Sequence, residues 1–224
     1  MSLPEKELKR RRPAAATLVG LGVALLSPLL TNSIVTHFVG QTQSRTLVIA
    51  GLAIHWITFA LLLIIVIRWE RQPVQSIGWR SPRWSTLLFG IVAGVAIAVL
   101  SGVASQLLGL KSDTHFLAFL QSLPVVERVS LVITAGVFEE MLYRGYGIER
   151  LSQYLGGKWV AAALTLILFT LAHAPAFGAA QLAPVMIVSA LVTLLYLWRR
   201  DLLLNMVAHS TIDAIGLLVI PAFA

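Results

Sequence analysis

Glu139 and Glu140 stand side by side in the run VFEEMLYR, residues 137–144, with no polar loop before them. A carboxylate in hydrocarbon costs roughly 2.5–3.5 kcal/mol even on the mildest scale. Two adjacent ones, with Arg144 one turn later, therefore call for a reason. On a helix Arg144 shares a face with Glu140, whereas Glu139 lies about 100° further round. Arg144 can then neutralise Glu140 while Glu139 points elsewhere, so that one carboxylate acts as base and its neighbour orients it. The plain alternative is a Glu–Arg clamp that closes a helix end. Further along, His173 follows Phe169 at i+4 in an apolar stretch, and His209 and Asp213 share a face with Asn205 one turn before them. A carboxylate behind a histidine fixes its tautomer and raises its basicity. Each pair also reads as an ordinary polar contact between helices. Together, Glu139, Glu140, Arg144, His173, His209 and Asp213 form a set able to activate water. His55 has no acidic companion and reads as structural, and His37 and His115 read as loop or interface residues.

The elements that carry these residues are membrane spans. The chain has 224 residues, 58% hydrophobic and 12% charged, with mean hydropathy +0.85. Soluble domains carry about 25% charged residues. The absence of cysteine excludes disulfides, Cys-ligated zinc and thiol catalysis. Apolar stretches of about 20 residues occur near 14–39, 46–67, 86–109, 125–144, 159–175, 180–198 and 202–221. No alternating pattern supports a barrel. The expectation is an all-α, polytopic helix bundle of about seven transmembrane helices. Residues 1–123 would form three helices behind a basic tail, and 124–224 the chemical bundle. Pro28 is expected to kink the first helix. The N-terminal basic cluster resembles a signal peptide, but no small-residue cleavage pattern follows, so an uncleaved first helix is expected.

The basic residues set the orientation. With the N-terminus in the cytoplasm, 14 of 17 Lys/Arg fall on the cytoplasmic side, and only Arg45, Lys111 and Arg128 fall outside. The positive-inside rule then gives N-in and C-out, with Trp69, Trp79, Trp84, Trp159 and Trp198 flanking the cytoplasmic ends. The net charge of +7 is explained by topology and implies no nucleic-acid partner. The expected partners are the lipid bilayer and a membrane-associated substrate. Segment 68–85 reads as a cytoplasmic linker at the interface, and 110–124 as the main external loop. On straight helices His173 and Glu139 miss each other by roughly 10 Å in depth, a gap that tilt or a shallow start to the fifth helix must close. His209 suits the depth of Glu139, and the cavity is expected to open toward the cytoplasm.

Glu-Glu-x-x-x-Arg at 139–144, Phe-x-x-x-His at 169–173 and His-x-x-x-Asp at 209–213 occur in that order on successive apolar helices. The chain resembles the CPBP family of intramembrane proteases, the CAAX-prenyl-protease and bacteriocin-processing group, over about residues 124–221. The resemblance implies peptide-bond hydrolysis in the membrane, with Glu139, or else Glu140, as general base and His173 helping to bind the water. It assigns His209 and the residue at 213 to the oxyanion. Asp213 stands where some members carry Asn, and an ionised Asp cannot donate a hydrogen bond. Asp213 is therefore expected to orient His209, leaving His209 or Asn205 as donor. The family has been described both as metalloproteases and as metal-free glutamate proteases. Glu139, His173 and His209 would supply a His₂Glu set for a divalent metal such as zinc. Two other readings use the same residues: a transporter with a buried Glu/His/Asp relay, and a catalytically silent immunity or partner-binding protein.

Overall fold

The computed structural model describes residues 5–42, 45–110 and 115–222, with side chains placed from residue 14 except at 36, 39–42 and 115–116. The basic side chains from Lys6 to Arg12, Lys111 and the His115 ring lie outside the described residues. Among those described every regular element is helical. Helix α1 is Glu5–Thr42. Helix α2, Arg45–Ile64, runs on as a π-helix over Ile65–Trp69. Then come α3, Trp84–Leu107, and the short α4, His115–Ser122. Helix α5 starts as Val125–Glu139, widens to a π-helix over Glu140–Ile148 and ends with Glu149–Leu151. Helix α6 is Lys158–Ala172, followed by the turn Ala174–Phe177. Helix α7 is Leu182–Arg199, and α8 is Leu202–Ala214 with a π-helical turn at Ile215–Val219.

Six of these segments are long and apolar enough to cross a membrane: 14–35, 45–69, 84–107, 158–177, 179–199 and 202–222. The protein is an integral, multi-pass membrane protein. Helix α5 has the length of a seventh span but a different composition. It carries Glu127, Arg128, Glu139, Glu140, Arg144, Glu149 and Arg150. Such a helix is stable only when other helices surround it and satisfy its charges. Accordingly every residue from Glu140 to Arg150 is buried.

Small residues set the spacing around α5. A Cβ on Gly90 of α3 would come within 2.8 Å of Val207, and one on Gly94 within 2.5 Å of the Ala208 carbonyl. Gly136 of α5 is likewise pressed against Ser210 and the Met206 carbonyl. Without these side chains the backbones approach closely, as in tightly crossed membrane helices. Helix α8, with His209, is thus clamped between α3 and α5. The main apolar core draws on both halves of the chain: Leu21 and Ala24 from α1, Leu62, Ile65 and Val66 from α2, and Phe138, Met141, Leu142, Tyr146 and Ile148 from α5 pack with Phe169, Tyr196 and Met206.

Two loops differ from expectation. Segment 68–85 folds partly inward: Glu70 and Ile77 are buried, and the Leu202 N–H donates to the Gly78 carbonyl at 2.9 Å. Segment 110–124 contains α4, whose Gln121 side chain donates to the Gly216 carbonyl at 2.9 Å. Helix α4 therefore lies across the end of α8.

Candidate active site

Helix α5 delivers Glu140 and Arg144 to the centre of the bundle. Glu140 is fully buried and Arg144 is 1% exposed. Arg144 donates to Glu140 Oε1 at 2.7 Å, so the i, i+4 pairing survives the π-helical widening. Three more guanidinium hydrogens go to α7: to Ser189 Oγ at 2.6 Å, its carbonyl at 3.1 Å and Thr193 Oγ1 at 3.3 Å. The guanidinium carbon also sits 4.5 Å above the Phe169 ring, a cation–π contact. Nothing in the sequence pointed to Ser189 or Thr193, which are single hydroxyls on an otherwise apolar helix.

His209 comes from α8. Its Nδ1 lies 2.8 Å from Glu140 Oε1, while Asn205 Nδ2 donates to Glu140 Oε2 at 3.2 Å and to the Val192 carbonyl at 2.9 Å. Both hydrogens of the Asn205 amide are thereby used, so the expected alternative oxyanion donor is committed elsewhere. The expected orienting role of Asp213 is also displaced. Asp213 Oδ2 lies 3.7 Å from His209 Nε2, beyond hydrogen-bond length and on the wrong nitrogen. The carboxylate that holds the ring is Glu140. The one-turn spacing of His209 and Asp213 sets a face, but a helix a long way off in sequence fills the Nδ1 side.

His173 terminates α6. Its Nδ1 lies 2.8 Å from the Phe169 carbonyl. A carbonyl only accepts, so Nδ1 carries the proton and Nε2 is directed away from the helix. Glu139 Oε2 lies 3.9 Å from His173 Nε2 and 3.9 Å from His209 Nε2. The structure therefore brings Glu139, His173 and His209 to one point. The anticipated depth gap closes mainly because α5 does not stop at residue 144. It continues to Leu151, which puts Glu139 twelve residues, about 18 Å, from its end. His173 is fifteen residues, about 22 Å, from the start of α6. Lys158 at that start pairs with Glu149 at 3.2 Å, so the two ends lie side by side.

These groups face a cavity of about 380 Å³. Its wall includes Glu139, His173, His209 and Asp213, with His55, Phe138, Phe169, Val185 and Val188. The side chain of Glu139 is 17% exposed, against 0% for that of Glu140. His55, expected to be structural, lies on this wall with its ring 4.3 Å from that of Phe138. The cavity occupies the end of the bundle that holds α4, since Leu117 and Leu120 line it, and lies away from the arginine-rich ends of α2, α5 and α7. This reverses the expectation of an opening on the basic side. Glu139 lies at mid-helix, and the lining residues of α8 run from His209 onward, away from its basic start.

The donor set does not fit a tetrahedral metal. With bonds near 2.0 Å the ligand atoms of such a site stand about 3.3 Å apart, and the separations here are 3.9 Å. Among the described residues no group of three or more His, Asp or Glu is gathered closely enough to hold a metal ion. A separation of 3.9 Å leaves room for one water bridging Glu139 to either histidine at ordinary hydrogen-bond length.

Comparison with known proteins agrees with the order of the motifs. Residues 121–215 match the family described as type II CAAX prenyl endopeptidase Rce1-like. The resemblance to the CAAX-protease group is thus borne out over the segment that holds Glu139, His173 and His209. The chain is also similar to the UPF0177 protein YxdF of Lactococcus lactis subsp. lactis (strain IL1403), 25% identical over 166 residues, covering 71% of this chain and 90% of that protein. No solved structure gives a significant match.

Proposed function

We propose that the chain is an intramembrane endopeptidase that hydrolyses a membrane-associated protein or peptide through water activated by Glu139. At the level of the family, the match to an Rce1-like endopeptidase supports a CAAX-protease-like membrane protease. The observation that carries the finer reading is the convergence of Glu139 Oε2 on two histidine Nε2 atoms, each at 3.9 Å, on a cavity wall. A water held by Glu139 and His173 gives its proton to Glu139 as its oxygen attacks the scissile carbonyl carbon. Glu139 then returns that proton to the leaving amine, the usual double duty of a general base. His209, turned by Glu140, presents Nε2 to the cavity. There it donates to the developing oxyanion when the ring carries its second proton. Arg144 holds Glu140 in place, and Asp213 lies beside His209 without holding it.

With the N-terminus in the cytoplasm of a bacterial plasma membrane, as the basic clusters suggest, the cavity opens on the opposite face, and cleavage takes place there. Reporter fusions after residues 42, 112 and 178 should then all read external, and a cytoplasmic signal at 112 reverses the face. The activity itself is tested by incubating the purified chain in liposomes with a pool of membrane peptides and sequencing the products. New termini that disappear with Glu139→Gln support the reading, and identical products from both proteins end it.

A further inference from the structure

Away from the Glu139 cavity, α3 and α7 leave an open groove of about 380 Å³ between them. It shares no lining residue with that cavity. Phe89, Ala93 and Ala96 of α3 face Leu191, Leu194 and Trp198 of α7 across it, and the buried Ile97 and Leu195 complete its wall. The short side chains of Ala93 and Ala96 leave the depression between the larger ones. Helix α3 starts at the basic end of the bundle and α7 finishes there. From Phe89 inward to Ile97 the groove runs eight residues, about 12 Å. That is most of one leaflet's half of a hydrocarbon core about 30 Å thick.

Arg199 sits at the mouth. Its guanidinium carbon lies 5.2 Å from the Phe89 ring centre and 5.1 Å from that of Trp198. The two rings are themselves in contact, with centres 5.8 Å apart. Two aromatic rings thus hold the cation at the groove. Arg144, Arg150 and Arg200 each meet a glutamate, whereas Arg199 meets no carboxylate among the described residues. Its planar fork of N–H groups is left to a ligand, and that fork matches phosphate oxygens. The acids at this end are already engaged: Glu70 with Arg150, Glu149 with Lys158 and Arg200, and Asp201 with the Leu204 N–H. A headgroup ammonium would find no free acceptor, and the exposed Arg68, Arg71, Arg80 and Arg83 of the same end would repel it.

We infer that the groove binds one anionic phospholipid, with its phosphate on the Arg199 guanidinium and an acyl chain between α3 and α7. A zwitterionic lipid brings the same phosphate and chain, but its ammonium is unmatched. The site is separate from the Glu139 centre, so it stands whether or not the chain is a protease.

The probes are phosphatidylglycerol and phosphatidylcholine with identical chains. They are titrated into the purified chain in detergent, and bound lipids are counted by native mass spectrometry. Wild type is expected to hold one phosphatidylglycerol in preference to phosphatidylcholine. Arg199→Gln should cut that preference about fivefold, the worth of one basic residue against an anionic headgroup. Ala96→Phe fills the groove and should weaken both lipids. Residues 96 and 199 are exposed, so both variants should fold. Arg68→Gln removes an exposed cation from the end of α2 and should change nothing. Glycerol phosphate, a headgroup without chains, should not displace the lipid. No preference in wild type would mean ordinary annular lipid, and an equal loss with Arg68→Gln a diffuse surface charge; either overturns the inference. So does displacement by glycerol phosphate, or an Ala96→Phe protein that binds as wild type does, since the acyl chain then has no part.

Discussion

Two of the buried carboxylates with arginine partners, Glu70 and Glu140, are alike in their bonding and differ in their surroundings. Near the basic end, Glu70 is saturated. Its Oε1 accepts from Thr17 at 2.8 Å and Tyr146 at 2.7 Å, and its Oε2 from Arg150 at 2.7 and 3.0 Å. Arg150 is itself held by Ser76, whose Oγ accepts at 2.8 Å. Near the centre, Glu140 is saturated in the same way by Arg144, His209 and Asn205. What sets the centre apart is the next residue. Glu139 makes no hydrogen bond among the described residues and faces the cavity, with two histidine nitrogens just beyond bonding length. Burial and charge are common to both clusters, so neither marks chemistry. The proposed chemistry is supported instead by the place of Glu139 between two histidine nitrogens at the cavity wall.

Substitutions can break this contrast or sharpen it. The largest effect belongs to Glu139→Gln. Turnover should fall by about 10²–10⁴, the usual worth of a general base. The thermal midpoint should hardly move, because no bond to the protein is lost. A variant that keeps more than a tenth of wild-type turnover sinks the assignment. Glu70→Gln should do the reverse. Leaving Arg150 buried and poorly paired costs about 3–5 kcal/mol, read as an early unfolding transition in detergent, while turnover per folded molecule stays within about threefold. Loss of turnover with an unchanged midpoint would place Glu70 in the chemistry after all.

Glu140→Gln stands between the two. It loosens both Arg144 and His209, so stability should drop and turnover should fall about 10–100-fold, the range for a group that orients a reacting histidine. A stable but dead Glu140 variant beside an active Glu139 variant exchanges their roles. The smallest effect is expected at Asp213, whose side chain is 28% exposed and lies 3.7 Å from His209. Asp213→Asn should change turnover by less than about tenfold, since Glu140 already fixes the ring. A loss as large as that of Glu139→Gln would mean that Asp213 touches the reacting atoms.

The two clusters were unequally legible in the sequence. Glu140 and Arg144 are one turn apart, so helical periodicity alone pairs them. Glu70 and Arg150 are 80 positions apart, and no local pattern links an acid in a linker to a base at a helix end. The apolar runs betrayed the spans for a simple reason: each must hide its backbone from lipid. The π-helix of α5 left no comparable trace, because a wider turn changes hydrogen-bond partners and not residue types. The side of the cavity was misjudged for a related reason. Counting depth from Glu127 at the external end of a helix that stops at residue 144 places Glu139 nearer the basic side, whereas the buried contacts of Tyr146, Glu149 and Arg150 carry α5 further that way. Asp213 was assigned to His209 by spacing on one helix, whereas the bond to Nδ1 is made between helices.

The widened stretch Glu140–Ile148 also bears on how this chain can change length. Glu140 and Arg144 lie at one end of it, and Tyr146 and Arg150 at or just past the other, so both clusters hang on a single stretch of helix. Removing one residue inside it would let the backbone return to the ordinary four-residue bond. That return would take up most of the turn of about 100° that a deletion from a regular helix imposes on everything beyond it. Helix α5 could therefore lose a residue within Glu140–Ile148 and still carry Glu140 to His209 and Arg150 to Glu70.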